Sequence, residues 1–275
     1  MYKIWYGSEA SFEVLATANT QMQALLKANP NIDDQFELPS LYKLDGSVGV
    51  VSVKGSLVSG DAGWRQLFGV SGYDNIATAL VDSVSDKKAK SIMLDIDSPG
   101  GSAKGVNALG NLIKDIGSVK PMSAYGDNIG SAAYWAGSAA KHITLDEMGM
   151  AGSIGALIVH SERSKQLEQD GIKVKVIRAG VNKALANSVE PLSAEGEADL
   201  QAIVNTSRDM FVAAVADNLG VTSATVESQM GQGKMLMGAA ALSAGLVHKI
   251  GTYEDALAHS TGLQASFKPT KQVKV

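Results

Sequence analysis

The chain has 275 residues, of which 45% are hydrophobic and 19% charged, with a formal net charge of −4 and no cysteine. A chain of this length and composition can bury the core of a soluble globular domain. The lack of cysteine excludes disulfides, thiolate metal ligands and cysteine nucleophiles. The slightly negative charge, without a long basic run, disfavours nucleic acid and anionic membranes as partners.

Residues 1–40 are predicted to form an N-terminal arm. The apolar spacing of SFEVLATANTQMQALLKAN predicts a helix, which the prolines and acidic residues of PNIDDQFELPS then end. The first twenty residues carry charged and polar side chains throughout, and the chain contains no apolar run of about 20 residues. We therefore expect a soluble, cytoplasmic protein whose arm packs on the body or on a neighbouring subunit.

From residue 41 the pattern changes to alternating strands and helices. Strands are predicted at 48–58, 89–101, 121–127, 142–147, 153–160 and 172–180, and helices at 72–86 (with Asp74 as N-cap), 102–117, 131–141, 161–171 and 194–219. Shorter helices follow as far as Leu246, and residues 248–260 read as a last strand and helix. Strands that alternate with long helices indicate βαβ units and a mainly parallel sheet. The predicted fold is α/β, with one main domain at 41–258 and a polar tail at 259–275.

Two strand ends carry the candidate chemistry, since ligands of open α/β folds collect where strands end. In DSPGGS (97–102), the adjacent Gly100 and Gly101 leave backbone N–H groups uncovered. These groups suit a developing oxyanion, although a plain turn has the same composition. Ser131 follows the next strand among small neighbours, and it reads either as an N-cap or as a nucleophile. In the second case the N–H of Ala132 faces whatever the hydroxyl attacks.

A serine nucleophile needs a base, and the sequence offers two. His160 lies 29 residues after Ser131 and Lys183 lies 52 after it. A lysine with the reference pKa of about 10.4 must be desolvated to act as a base at neutral pH. Lys183 is the only charged residue in AGVNKALANS, which suits that requirement. The residues alone leave both candidates open.

Four features taken together resemble the signal peptide peptidase A family of Ser-Lys peptidases. They are DSPGG, GSAAYWAGSAA, AGSIGALIVHS and a lysine after the next predicted strand. The similarity is greatest to the branch of phage capsid-maturation (head) proteases, and it extends over residues 45–258. It implies Ser131 as nucleophile, Lys183 as general base and Ser153 as the residue that orients the lysine. It also implies oxyanion donors in the Gly100–Gly101 turn and at Ala132.

The same resemblance implies a ClpP/crotonase-like superhelix of ββα units and assembly into a homo-oligomeric ring. It implies a polypeptide substrate, no cofactor and no metal. The function it favours is a serine endopeptidase that cleaves scaffold and other head proteins during capsid maturation of a phage or prophage, in the host cytoplasm or within a procapsid.

Other functions remain open at this point. They are a soluble bacterial peptidase of the same family that degrades peptides, a Ser-His peptidase of the ClpP type with His160 as base, an acyl-CoA hydratase-like enzyme, and a non-catalytic shell protein. The remaining motifs receive structural interpretations. Tyr134 and Trp135 are predicted to pack the helix after Ser131 against the sheet, and Asp95 and Asp97 to share one face of a strand and make structural hydrogen bonds.

Overall fold

The computed structural model describes residues 4–7 and 38–269, together with single positions between residues 17 and 28. The strands are β1 (Trp5–Gly7), β2 (Tyr42–Asp45), β3 (Val48–Lys54), β4 (Ser56–Val58), β5 (Val70–Gly72), β6 (Ser91–Ser98), β7 (Gly100–Ser102), β8 (Met122–Gly130), β9 (Ile143–Gly152), β10 (Met235–Met237) and β11 (Lys249–Ile250). The α-helices are α1 (Tyr73–Ser85), α2 (Val106–Gly117), α3 (Ala132–Ser138), α4 (Ser164–Gln169), α5 (Ala194–Leu219), α6 (Ser223–Gln229), α7 (Gly238–Ser243) and α8 (Tyr253–Ser266). A 3-10 helix, Gly63–Phe68, precedes β5.

The strands form two sheets. The seven-stranded sheet has the order β10-β9-β8-β6-β3-β2, and β11 pairs in parallel with the first part of β9. Its inner strands β3, β6, β8 and β9 are parallel, whereas β2 and β10 pair antiparallel at the edges. A four-stranded sheet has the order β1-β7-β4-β5. The predicted α/β class with mainly parallel pairing is confirmed.

Both faces of the larger sheet are covered, which explains why its inner strands are nearly continuous apolar runs. On β6, Ile92, Leu94 and Ile96 are fully buried in the main core with residues of α1, α2 and α3. Met93 points to the opposite face, as side chains alternate along a strand, and lies in a smaller cluster with Ala256 of α8. The inner strands therefore sit between two helical layers, and their carboxyl ends are held in fixed positions.

Two predicted strands are each divided by a turn. The strand predicted at 48–58 is β3 and β4, and the strand predicted at 89–101 is β6 and β7. In both cases the second piece leaves the large sheet and joins the small one, where β4 and β7 pair with each other. The prediction of Asp74 as N-cap is wrong, because Gly72 occupies that position in α1 and Asp74 lies in the first turn.

The strands predicted at 153–160 and 172–180 are absent from the described structure. The first contributes a single antiparallel bridge at Leu157, and the second has no strand at all. A strand needs a partner for its backbone groups, and the described residues provide none for 172–180. The side chains of Ile177 and Val181 are 89% and 84% exposed. Residues 172–180 have the alternating pattern of a strand, but the described part of one chain contains no neighbouring strand with which they pair.

The two ends of the chain lie partly inside the described residues. The helix predicted in the arm lies mostly outside the described residues, and the single positions described between 17 and 28 are helical. Residues 4–7 of the arm pack on the body through β1. Helix α8 continues to Ser266, so the tail predicted from residue 259 begins inside this helix, and residues 270–275 lie outside the described part.

Candidate active site

Ser131 lies where β8 ends and α3 begins. Its side chain is buried, with 1% of the residue exposed, and its φ and ψ are 51° and −117°. A positive φ is unusual for serine and costs about 1–3 kcal/mol when the surrounding structure enforces it. The enforcing contacts are backbone hydrogen bonds: the Ser131 N–H donates to the Gly152 carbonyl at 2.8 Å, and the Ser131 carbonyl accepts from Trp135 at 3.0 Å.

The glycine before Ser131 permits close approach of a second segment. A Cβ atom on Gly130 would lie 3.1 Å from backbone atoms of Pro99, closer than ordinary van der Waals contact. Pro99 connects β6 to β7 and directly precedes Gly100. The lack of a side chain at Gly130 therefore lets the glycine turn and Ser131, the two features singled out in the sequence, sit side by side.

Ser153 is brought to the same place by strand register. In the β8–β9 pairing Gly130 is opposite Gly152, so Ser131 and Ser153 are the next residues on two adjacent parallel strands. Ser153 also has a positive φ, of 56°, and its N–H donates to the Lys234 carbonyl at 2.9 Å. The two serines therefore leave the same sheet edge, each from a constrained backbone.

In this structure the Gly100 amide already has a hydrogen-bond partner, and Gly101 is paired with β1. The Gly100 N–H donates to Ser98 Oγ at 3.1 Å, and the same hydroxyl donates to the Gly55 carbonyl at 2.6 Å. Gly101 is opposite Tyr6 of β1. Sequence reasoning missed Ser98, a fully buried residue. The signal was its place two residues before the first glycine, where a serine hydroxyl can accept from the backbone N–H.

Helix α3, which begins at Ala132, is buried along its whole length. The predicted packing of its aromatic residues is confirmed. Tyr134 Oη donates to the Leu246 carbonyl at 2.8 Å, and Trp135 stacks on Phe211 with ring centroids 5.1 Å apart. These contacts join α3 to α5 and to the chain before β11. Ser131 and Ala132 are therefore anchored to a rigid element.

Lys183 is placed differently. It lies in a turn where its N–H donates to the Gly180 carbonyl at 3.0 Å, and its side chain is exposed. Among residues 4–7 and 38–269, Ser131 and Lys183 make no hydrogen bond with each other. One copy of the chain therefore does not provide the burial that a lysine base requires. The other candidate base, His160, is half-buried and lies beside Glu162.

Three of the four histidines meet at the start of β9, at the opposite end of this strand from Ser153, although they are distant in sequence. The His142 ring stacks on His259 with centroids 3.7 Å apart, and His248 is 5.2 Å from His142. Burial, with the two neighbouring histidines, lowers the pKa of His142 to about 4. The rings of His142 and His248 are tilted by 31° to each other, and no group of three potential metal ligands is found in the described part of the chain.

The predicted structural role of Asp95 agrees with its contacts, since it accepts a hydrogen bond from Lys54 Nζ at 2.7 Å. Asp97 is exposed at the end of β6. A cavity of about 550 Å³ borders the segment after Ser153, with Ile154, Gly155 and Val212 in its wall. Within the described residues, none of the helices combines the length and hydrophobicity that a bilayer crossing requires.

The chain is similar in sequence to several known proteins. A family model described as peptidase family S49 matches residues 114–265, just over half of the chain. The head-tail preconnector protein GP5 of Enterobacteria phage P21 is 30% identical over 218 residues, which cover 79% of this chain and 43% of that protein. The capsid assembly protease C of Escherichia phage lambda is 28% identical over 226 residues, which cover 82% of this chain and 51% of that protein. The chain thus spans about half the length of these curated relatives.

Among solved structures, the chain is similar to a point mutant of ClpP1 from Listeria monocytogenes. The sequence identity is 14%, the TM-score is 0.47, and the match covers 76% of this chain and 94% of that chain.

Proposed function

The chain belongs to peptidase family S49, and from this premise we propose that it is a serine endopeptidase with Ser131 as nucleophile and Lys183 as general base. The observation that carries the proposal is the backbone of Ser131. This residue is held at a positive φ at a strand end, and its neighbour Gly130 contacts Pro99 of the glycine turn. Strained backbone of this kind persists where surrounding contacts enforce it, and it is common at active sites.

The reaction is acyl transfer. Lys183 in its neutral form removes the hydroxyl proton of Ser131 while Oγ adds to a peptide carbonyl carbon, and backbone N–H groups at Ala132 and in the Gly100–Gly101 turn stabilise the oxyanion. The C–N bond then breaks as the protonated lysine returns the proton to the leaving amine. Water repeats the sequence on the acyl-enzyme and releases the acid. Ser153 orients the lysine amine through a hydrogen bond.

The exposed position of Lys183 supports an assembled enzyme. The segment before it, residues 172–180, has a strand pattern without a strand partner among the described residues, and Ile177 and the following Val181 are almost fully exposed. Exposed apolar side chains on an unpaired strand favour pairing with another chain. In the proposal a second copy covers this segment in a homo-oligomeric ring. Lys183 is thereby desolvated and acts on Ser131 of its own chain or of the neighbour.

The proposed substrates are polypeptides, and phage head proteins are the favoured class. Support comes from the relatives named as a head-tail preconnector protein and a capsid assembly protease. On this proposal the enzyme acts in the host cytoplasm or inside a procapsid. The proposed reaction requires no cofactor, because the serine hydroxyl is the nucleophile, the lysine amine transfers the proton and backbone N–H groups stabilise the oxyanion.

Purified wild type, Ser131→Ala, Lys183→Ala and His160→Ala should be incubated with an unfolded protein substrate at mildly alkaline pH. We expect cleavage by wild type and by His160→Ala and none by the other two. Mixing Ser131→Ala with Lys183→Ala after dissociation and reassembly then locates the base. Recovered activity means that the two residues act across copies, and no recovery means that they act within one. Cleavage by Lys183→Ala, together with its loss in His160→Ala, would overturn the assignment of the base.

A further inference from the structure

The first described strand lies along the glycine turn. β1 pairs antiparallel with β7, with Trp5 opposite Ser102 and Gly7 opposite Gly100. The Ala103 N–H donates to the Ile4 carbonyl at 3.2 Å. Since hydrogen-bonded pairs alternate in an antiparallel ladder, the next such pair is Tyr6 with Gly101. The backbone of Gly101 is therefore occupied by the chain's own N-terminal arm.

The other side of β1 is paired as well. The Trp5 N–H donates to the Leu157 carbonyl and the Leu157 N–H to the Trp5 carbonyl, both at 3.1 Å. This bridge is also antiparallel. Residues 4–7 thus lie as an extended strand in a groove between β7 and the segment at Leu157. That segment begins at Ser153, so both walls of the groove lead to the candidate active site.

The side chain of Trp5 anchors the strand in this groove. It is 3% exposed and lies in a separate apolar cluster with Val58, Ala62 and Val70. Phe68 and Leu157 are partly buried against the same cluster. A strand added to a sheet gains affinity from its main-chain hydrogen bonds and specificity from the pockets that take alternate side chains. Residues 4–7 have both kinds of contact.

β1 reaches Ser131 through the glycine turn. Gly7 is opposite Gly100, and the adjoining Pro99 packs against Gly130. We propose that the groove between β7 and Leu157 binds the substrate peptide and that residues 4–7 fill it as an intramolecular inhibitor. The inference rests on the proposed peptidase function. It assigns to the groove an extended polypeptide that places an aromatic side chain in the pocket now filled by Trp5.

A substrate must then displace β1 before it binds. The apparent affinity for substrate is reduced by the fraction of molecules in which the groove is open. Because Trp5 is the buried anchor, Trp5→Ala raises the open fraction, whereas Trp5→Phe keeps a ring in the pocket and serves as the matched control. Tyr6→Pro provides a second route, since proline removes the Tyr6 N–H from the ladder and leaves Trp5 intact.

The first experiment measures kcat/KM of the full-length variants on a fluorescently labelled unfolded protein. We expect Trp5→Ala and Tyr6→Pro to raise kcat/KM at least about tenfold and Trp5→Phe to stay near wild type. Addition of the peptide MYKIWYGS (residues 1–8) should inhibit Trp5→Ala competitively, whereas the same peptide with alanine for tryptophan should not. Hydrogen exchange of the Leu157 amide reports separately whether β1 has left the groove.

The outcomes separate this inference from the peptidase function. If the Leu157 amide loses protection in Trp5→Ala but kcat/KM is unchanged or lower, departure of β1 does not open a substrate site and the inference is overturned. If no variant cleaves, the proposed function fails, and binding of labelled MYKIWYGS to the Trp5→Ala, Ser131→Ala double variant decides the inference alone. Saturable binding that needs the tryptophan supports it, and absence of binding overturns it.

Discussion

The hydroxyl of Ser98 positions the glycine turn, and its removal should affect both stability and turnover. Ser98 is fully buried, and its Oγ joins two backbone groups, donating to the Gly55 carbonyl at 2.6 Å and accepting from the Gly100 N–H at 3.1 Å. Ser98→Ala leaves the buried Gly100 N–H and the partly buried Gly55 carbonyl without that partner. Since Gly100 belongs to the turn whose amides are proposed to bind the oxyanion, its orientation matters for chemistry as well as for folding.

The expected magnitude follows from the two lost hydrogen bonds. A buried polar group left unsatisfied costs about 1–3 kcal/mol, so we expect Ser98→Ala to lower the free energy of unfolding by about 2–4 kcal/mol. Loss of a complete oxyanion donor reduces kcat by about 100- to 1000-fold. A turn that is loosened but still present should lose about tenfold, with KM nearly unchanged, because the amide acts mainly in the transition state.

Ser83→Ala is the matched control. Ser83 is equally buried, but among the described residues its hydroxyl has no hydrogen-bond partner. Removing an unpartnered buried hydroxyl should change stability by less than about 0.5 kcal/mol or increase it. Urea unfolding and steady-state kinetics on both variants provide the test. Equal stability and equal kcat for the two variants would refute the argument that Ser98 holds the turn.

Two further predictions use other parts of the fold. Because burial among His248, His259 and Lys249 lowers the pKa of His142 from 6.5 to about 4, the unfolded chain takes up a proton at a higher pH than the folded one. The contribution of His142 to the free energy of unfolding should therefore be fully present above pH 6.5 and decrease as the pH falls toward 4. The pKa shift corresponds to about 3 kcal/mol. Because the ring is partly exposed, we expect about half of that decrease. Urea unfolding between pH 7.5 and 5 should show this decrease in the free energy of unfolding in wild type and a smaller decrease in His142→Asn. A free energy of unfolding in wild type that does not change with pH would contradict the lowered pKa of His142. Gly101→Ala places a Cβ atom 1.9 Å from the Leu57 carbonyl oxygen and should lower the free energy of unfolding by about 3 kcal/mol or more. Gly262→Ala, at an open position of α8, serves as the control and should raise it by about 0.5–1 kcal/mol. Similar melting temperatures for the two variants would contradict the expectation for Gly101→Ala.

Much of the fold could be predicted from hydrophobic pattern alone. The strands of the large sheet are apolar on both faces, as parallel strands between two helical layers must be, and helix α5 begins and ends where the pattern predicts, at Ala194 and Leu219. The pattern failed where it could not identify a partner. Residues 172–180 alternate like a strand, yet pairing depends on a neighbouring strand that the described chain does not supply.

The site was predicted in part. The small residues around Ser131 and the Gly100–Gly101 turn indicated where backbones approach closely, and both lie at one sheet edge. The positive φ of Ser131 could not be predicted, because it results from hydrogen bonds to Gly152 and Trp135 that depend on the whole β8–β9 register. The histidine cluster was missed for the same reason, since its members are separated by more than 100 residues along the chain in the case of His142 and His248.

The proposed nucleophile and the proposed base are positioned in different ways. Ser131, Ser153 and the glycine turn are held by the core of one chain, and each has its conformation enforced by backbone hydrogen bonds. Lys183 lies on an exposed segment that the core does not position.

On the proposed function and the proposed inhibition, a single copy lacks a desolvated base and has its groove filled by β1. These two restraints are physically independent, because one depends on contacts between copies and the other on contacts of Trp5 within a copy. Assembly alone would therefore leave the groove closed, and release of β1 alone would leave Lys183 in solvent. Full activity requires both, which limits cleavage to assembled enzyme that a suitable polypeptide has engaged.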